Sequence, residues 1–127
     1  MKRIRKAVLP VAGLGTRVLP AAKTTPKNLL TVVDRPILSY VVAEARAAGI
    51  EHFIFIVGRG QSAIEDYFDH HVELETQLAA KNKTALLKEM AAELGKPGEM
   101  SFVRQMSPLG LGHAVWCARD KIGRAHV

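Results

Sequence analysis

Residues Lys6–Gly13 read KAVLPVAG, a short apolar run with no polar alternation, closed by glycine. Strands wetted on one face alternate apolar and polar side chains, whereas an unbroken apolar run suits a parallel sheet covered on both sides. A chain that begins this way has to cross over between neighbouring strands, usually through a helix. The crossovers can be read along the sequence. LLTVVD (Leu29–Asp34) is a second short extended piece, and Pro36 just after it suits the first turn of a helix. That helix, ILSYVVAEARAAG, places Leu38, Val41, Val42, Ala45 and Ala48 on one face and stops at Gly49. HFIFIVG (His52–Gly58) is rich in β-branched and aromatic residues and reads as a strand. SAIEDYF follows as a short helix with Ser62 as its N-cap. Residues 72–94, rich in Leu, Ala, Glu and Lys, read as one or two helices ended by Gly95, Pro97 and Gly98. MSFVRQ (Met100–Gln105) is a third core strand, and GHAVWCARD opens a further helix. The alternation predicts a layered α/β fold with a mainly parallel sheet. Ligands of such sheets sit at the carboxyl ends of the strands. The loops VAGLGTRVLPAAKTTPK (Val11–Lys27) and QMSPLGLGHA (Gln105–Ala114) leave two of those ends and can converge on one site.

Composition limits the functions open to this fold. With 127 residues, 48% of them hydrophobic, the chain can form one domain with a core. Its formal charge of +6 suits an anionic partner. Only Lys2, Arg3, Arg5 and Lys6 cluster, however, and aromatics make up 6% with no basic stretch interleaved, so nucleic-acid binding is not expected. Cys117 is the only cysteine, which excludes a disulfide framework or a zinc cluster within one chain and suits a reducing compartment. The first apolar run breaks at Pro10, too short for a secretory core or a membrane span. A cytoplasmic protein without membrane partners is expected.

The first loop carries the chemistry. Gly13 and Gly15 let backbone N–H groups approach an anion without a Cβ in the way. Arg17 adds a planar fork for phosphate oxygens, and Lys23 and Lys27 add point charges a few residues on. GxG alone would be only a tight turn; with three cations in reach a triphosphate is the better ligand. The dinucleotide fingerprint would need a third glycine where Val18 stands. Asp34 is spaced for a ribose contact, but Pro20 and Pro26 break the crossover helix that fingerprint requires. The P-loop pattern is also missing, as no Gly-Lys-Ser/Thr follows at its spacing.

These residues resemble a known family. AGLGTRVLPAAKTTPK is similar to the G-x-G-T-R…P-K signature of sugar-1-phosphate nucleotidyltransferases. KAVLPVAGLGTR, VVDRPILSYVVAEARAAGI, SAIEDYFD, ELE and VRQMSPLGLGHAVWCA, in that order, resemble the bacterial UTP–glucose-1-phosphate uridylyltransferase branch from about Lys6 to Asp120. The resemblance implies a Rossmann-like, three-layer nucleotidyltransferase fold, incomplete in this chain. It implies transfer of UMP from UTP to glucose 1-phosphate, giving UDP-glucose and pyrophosphate. By similarity, Ala12 and Gly13 contact the base through backbone, and Leu14, Gly15, Thr16 and Arg17 wrap the triphosphate. Lys27 is implied to stabilise charge at the α-phosphate, so Arg17 and Lys27 are the catalytic candidates. Gln105 is implied to read the uracil edge, with Gly110 beside it. A homo-oligomer is implied for the full-length form. Mg²⁺ is the implied cofactor, with its ligand aspartate, the sugar pocket and a second lysine all expected beyond Asp120.

Two departures qualify the resemblance. The family shows PKEML or PKELL where this chain reads PKNLL, so Asn28 replaces a glutamate associated with the uracil site. An amide both donates and accepts, which keeps dTTP, the nucleotide of the related thymidylyltransferases, as a rival to UTP. The family pattern also ends at GHAVWCARD, and IGRAHV (Ile122–Val127) corresponds to one reading frame of a common sequencing adapter. Residues 1–121 are therefore expected to be the nucleotide-binding part of one domain, and 122–127 a tail foreign to it. An NAD-type oxidoreductase domain and a non-enzymatic nucleotide-binding module remain as alternatives. Elsewhere the plainer expectation applies. Trp116 and Cys117 are expected in the core, and His113 facing solvent or capping. His70, His71, Glu44, Glu65 and Asp66 are expected on the surface.

Overall fold

The computed structural model describes residues 3–12, 29, 31–32 and 35–123. The elements, in chain order, are β1 (Lys6–Pro10), β2 (Thr31–Val32), β3 (Arg35–Pro36), α1 (Ile37–Ala47), β4 (His52–Val57), α2 (Ser62–Tyr67), α3 (Val72–Ala80), α4 (Thr84–Glu93), β5 (Met100–Arg104), α5 (Leu111–Cys117) and α6 (Arg119–Ile122). The three longer strands form one sheet in the order β1–β4–β5. Both pairings are parallel, with Leu9 opposite Phe55 and Phe55 opposite Phe102. β2 and β3 make a separate antiparallel ribbon, Thr31 facing Pro36.

The central strand explains the layers. Successive side chains of a strand point to opposite faces. Phe53, Phe55 and Val57 pack against Leu38 and Val42 of α1, and Ile64 and Phe68 at α2. Ile54 and Ile56 pack on the other face against Ala114 and Ala118, beside α5 and α6. Phe53 through Ile56 have no exposed surface, so β4 is covered on both faces as a parallel strand must be. Phe55 anchors one face, its ring stacked 4.9 Å from Phe102 and tilted against Phe68 at 5.5 Å.

Several local expectations change in the folded chain. Pro36 is the N-cap of α1 in extended geometry, one residue before the first turn. Of the apolar face read for α1, Leu38 and Val42 are buried, but Val41 is exposed and Ser39 takes a buried place. Ser39 Oγ donates to Glu93 Oε2 of α4 at 2.7 Å, so its polar atom is satisfied. The N-cap of α2 is Gln61, and Ser62 is the first helical residue. Trp116 is 55% exposed and therefore not core, whereas Cys117 packs at the edge of the second cluster. Gly49 takes a φ of +100°, which only glycine adopts without strain, and ends α1 as read. His70, His71, Glu44, Glu65 and Asp66 are exposed as expected.

Candidate functional site

The site is built at the carboxyl ends of the parallel strands. β1 runs on to Val11, whose N–H donates to Ile56 O at 3.0 Å. β5 runs on to Gln105, whose N–H donates to Val57 O at 2.8 Å. Val11–Ala12, Val57–Gly58 and Gln105 therefore stand in a row across the sheet. Gly58 occupies the middle of that row for a steric reason. A Cβ there would lie 3.2 Å from the Ala12 carbonyl oxygen, and a side chain would push the two strand ends apart.

Gln61 ties the row together. Its Oε1 accepts from Gly58 N–H at 2.6 Å, and its Nε2 donates to Val11 O at 2.7 Å. The amide is buried and satisfies one backbone group from each strand end, immediately before the glycine loop begins. The sequence reading missed this residue. The available signal was a polar side chain in GRGQS, between a strand and a helix, but Ser62 is the more familiar cap and drew the assignment.

At the other end of the row Gln105 is nearly buried, and its Nε2 lies 3.3 Å from Gly110 O and 3.0 Å from His113 Nδ1. Gly110 has φ +96° and ψ 177°, reachable by glycine alone, and this bend turns the chain from the loop into α5. His113 stands one turn into α5, so the bend brings both acceptors back onto Gln105. The expectation that His113 faces solvent or caps is thus corrected: it is half-buried, with Cys117 Sγ 3.8 Å from the same Nδ1. Its ring stacks on Trp116, centroids 5.7 Å apart, and the Arg119 guanidinium covers Trp116 at 3.5 Å. Trp116 is therefore held in an outer stack of His, Trp and Arg instead of in the core.

Of the residues singled out in the sequence, Ala12, Gln105 and Gly110 are placed at one end of the sheet. Gly13, Leu14, Gly15, Thr16, Arg17, Lys27 and Asn28 lie outside the described residues. Among the described residues no group of three or more His, Cys, Asp or Glu could hold a metal ion. Nor is any of their helices long and apolar enough to cross a membrane. The arrangement offers backbone groups at Ala12 and a buried carboxamide at Gln105, separated by one strand. That suits the recognition of a flat ligand with hydrogen-bonding edges.

Comparison with known proteins shows the family and the fold. Residues 6–127 match the family model described as Nucleotidyl transferase. The chain is 50% identical over 123 residues to a UTP–glucose-1-phosphate uridylyltransferase of Bacillus subtilis, covering 97% of this chain and 42% of that protein. It is 52% identical over 123 residues to one from Komagataeibacter xylinus, covering 97% of this chain and 43% of that protein. A solved UTP-bound UGPase from Acinetobacter baumannii is similar at a TM-score of 0.91 and 52% identity, over 96% of this chain and 43% of that one. A UDP-glucose pyrophosphorylase complexed with UDP-glucose is similar at a TM-score of 0.72 and 36% identity, over 96% of this chain and 43% of that one. The chain thus spans less than half the length of these relatives.

Proposed function

Because the chain belongs to the nucleotidyl transferase family, we propose that its protein transfers UMP from UTP to glucose 1-phosphate. The observation that carries this reading is the pairing of Ala12 and Gln105 at one sheet end, in a fold shared with a UTP-bound relative. A phosphate oxygen of glucose 1-phosphate attacks the α-phosphorus of UTP. The bond from that phosphorus to the bridging oxygen breaks, and pyrophosphate leaves. The attacking phosphate is already ionised at neutral pH, so positioning and charge neutralisation dominate and no general base is required.

In this proposal Ala12 and Gly13 hold the base through backbone, while Gln105 and Gly110 read its edge. Leu14, Gly15, Thr16 and Arg17 wrap the triphosphate, Arg17 nearest the departing pyrophosphate. Lys27 neutralises charge developing at the α-phosphate. The Mg²⁺ implied by the family finds no ligand set among the described residues, so no step here runs through it. The proposal extends to a cytoplasmic protein, homo-oligomeric in its full-length form as the family resemblance implies; the single cysteine, Cys117, supports a reducing compartment.

The test is a pyrophosphate-release assay on the whole protein with glucose 1-phosphate and each of UTP, dTTP and CTP. UDP-glucose formed from UTP supports the proposal, and no product from UTP overturns it. Asn28 favours one second reading, a thymidylyltransferase, in which dTTP would outpace UTP.

A further inference from the structure

The two ends of the Gln105 carboxamide differ in chemistry, because its NH₂ only donates and its oxygen only accepts. The Gly110 carbonyl oxygen can only accept, and it lies 3.3 Å from Nε2. The NH₂ therefore faces Gly110. Its second hydrogen points at His113 Nδ1, 3.0 Å away. That nitrogen must then be the unprotonated one, which leaves the imidazole neutral with its proton on Nε2. Cys117 Sγ approaches the same nitrogen at 3.8 Å, a longer and weaker contact. Both amide hydrogens are committed to the protein, and Oε1 has no partner among the described residues. If Nδ1 carried the proton instead, it would face the NH₂ donor to donor, and the amide would lose one of the two contacts that orient it.

We propose that His113 is a positioning residue for base selection: with Gly110 it locks Gln105 so that only the amide oxygen is offered to the nucleotide. This rests on the reading that Gln105 meets the pyrimidine edge. An oxygen set against the N3 position accepts the N3–H of uracil or thymine. Cytosine has no hydrogen at N3, so the same placement sets lone pair against lone pair. A site built around one required donor rejects the analogue that lacks it. His113 thereby separates N3–H pyrimidines from cytosine and leaves uracil and thymine alike. A free glutamine could turn over and offer its NH₂ to cytosine N3 instead.

The experiment measures kcat/KM for UTP and CTP in the whole protein, for wild type, H113L, H113N and Q105L. H113L should lower the UTP/CTP ratio roughly tenfold or more. H113N, whose side-chain oxygen falls near the place of Nδ1, should restore most of it. If Q105L changes the ratio and H113L does not, the role of His113 is overturned while the reading of Gln105 stands. If Q105L leaves the ratio unchanged, that reading fails and the proposal with it. Should H113L not fold, H113Q replaces it, since its amide falls near Nε2 and beyond the reach of Gln105; an unchanged ratio there also overturns the proposal. Long-range ¹⁵N NMR of the wild-type imidazole supplies a readout independent of turnover. A proton on Nε2 supports the lock, and a proton on Nδ1 overturns it.

Discussion

Gln61 and Gln105 are the same residue type put to different uses by what lies within reach. Gln61 spends both ends of its amide on the backbone of two strand ends. Gln105 spends only its NH₂ on the protein. Gln61→Leu would strand the part-buried Gly58 N–H and the buried Val11 carbonyl, so we expect a stability loss of about 2–4 kcal/mol, read from urea unfolding at constant m. UTP affinity should fall with it, because the displaced carbonyl lies just before the glycine loop. A Gln61→Leu variant as stable as wild type would remove the clamp from the account. In that loop, Arg17→Ala and Lys27→Ala should each raise the barrier by about 2–4 kcal/mol, by loss of one charge-assisted phosphate contact. Wild-type kcat/KM in either variant would take the loop out of the mechanism.

At the scale of elements, α3 and α4 contribute no buried residue, so polar contacts at the end of α4 hold this helical pair to the body. Glu93 accepts from Ser39 Oγ at 2.7 Å and Tyr67 Oη at 3.2 Å, and pairs with Arg35 at 3.5 Å. Arg46 donates to Ala92 O and Leu94 O, both at 3.1 Å, and grips Glu99 through Nε and Nη2. Burial pushes the Glu99 carboxyl up, but the Arg46 hydrogen bonds, the Lys96 N–H and both positive charges outweigh it and hold the carboxyl below its ordinary value of 4.5. A carboxylate whose pKa is depressed on folding stabilises the fold above its unfolded pKa. That contribution is lost as pH falls through the folded pKa. Stability should therefore decline as pH drops below about 4.5, and Glu99→Gln should flatten this part of the stability profile. An unchanged profile in Glu99→Gln would show that the grip carries no linkage. Hydrogen exchange should find residues 84–93 opening before β4, and Arg46→Met should lower their protection further.

The whole molecule combines a strand buried on both faces with surface that is unusually apolar near the site. Phe55→Ala, at the meeting point of three rings, should cost about 3–5 kcal/mol by thermal unfolding. In contrast Met106, Leu109, Leu111 and Trp116, in the loop before α5 and in α5 itself, are each more than half exposed. Exposed apolar side chains this close together in sequence suit a contact region. β1 and β5 also each have one edge unpaired among the described residues. Residues 1–127 in isolation should self-associate in sedimentation velocity, and Leu109→Lys with Leu111→Lys should suppress it. A clean monomer at high concentration would count against this.

Consecutive residues were enough for whatever is periodic or compositional. Three apolar runs separated by helical stretches define a parallel α/β sheet, because strand burial and crossover length are written in neighbouring positions. The glycine and cation spacing of Gly13–Lys27 supports a phosphate-loop expectation from neighbouring positions, though that loop lies outside the described residues; Gly110 entered only through the family resemblance. The burial of Ser39 was not, since it depends on Glu93 arriving from another helix. Nor was the clamp of Gln61, which reaches Val11 across 50 residues of sequence. Trp116 looked like core because it is large and apolar, yet Arg119 and His113 stack it outside. His113 looked like an ordinary helix residue until the turn at Gly110 carried its ring back to Gln105. Which end of an amide is free is decided by the tertiary structure alone, because a carboxamide takes its direction from acceptors that the fold, and not the neighbouring sequence, brings within 3.3 Å.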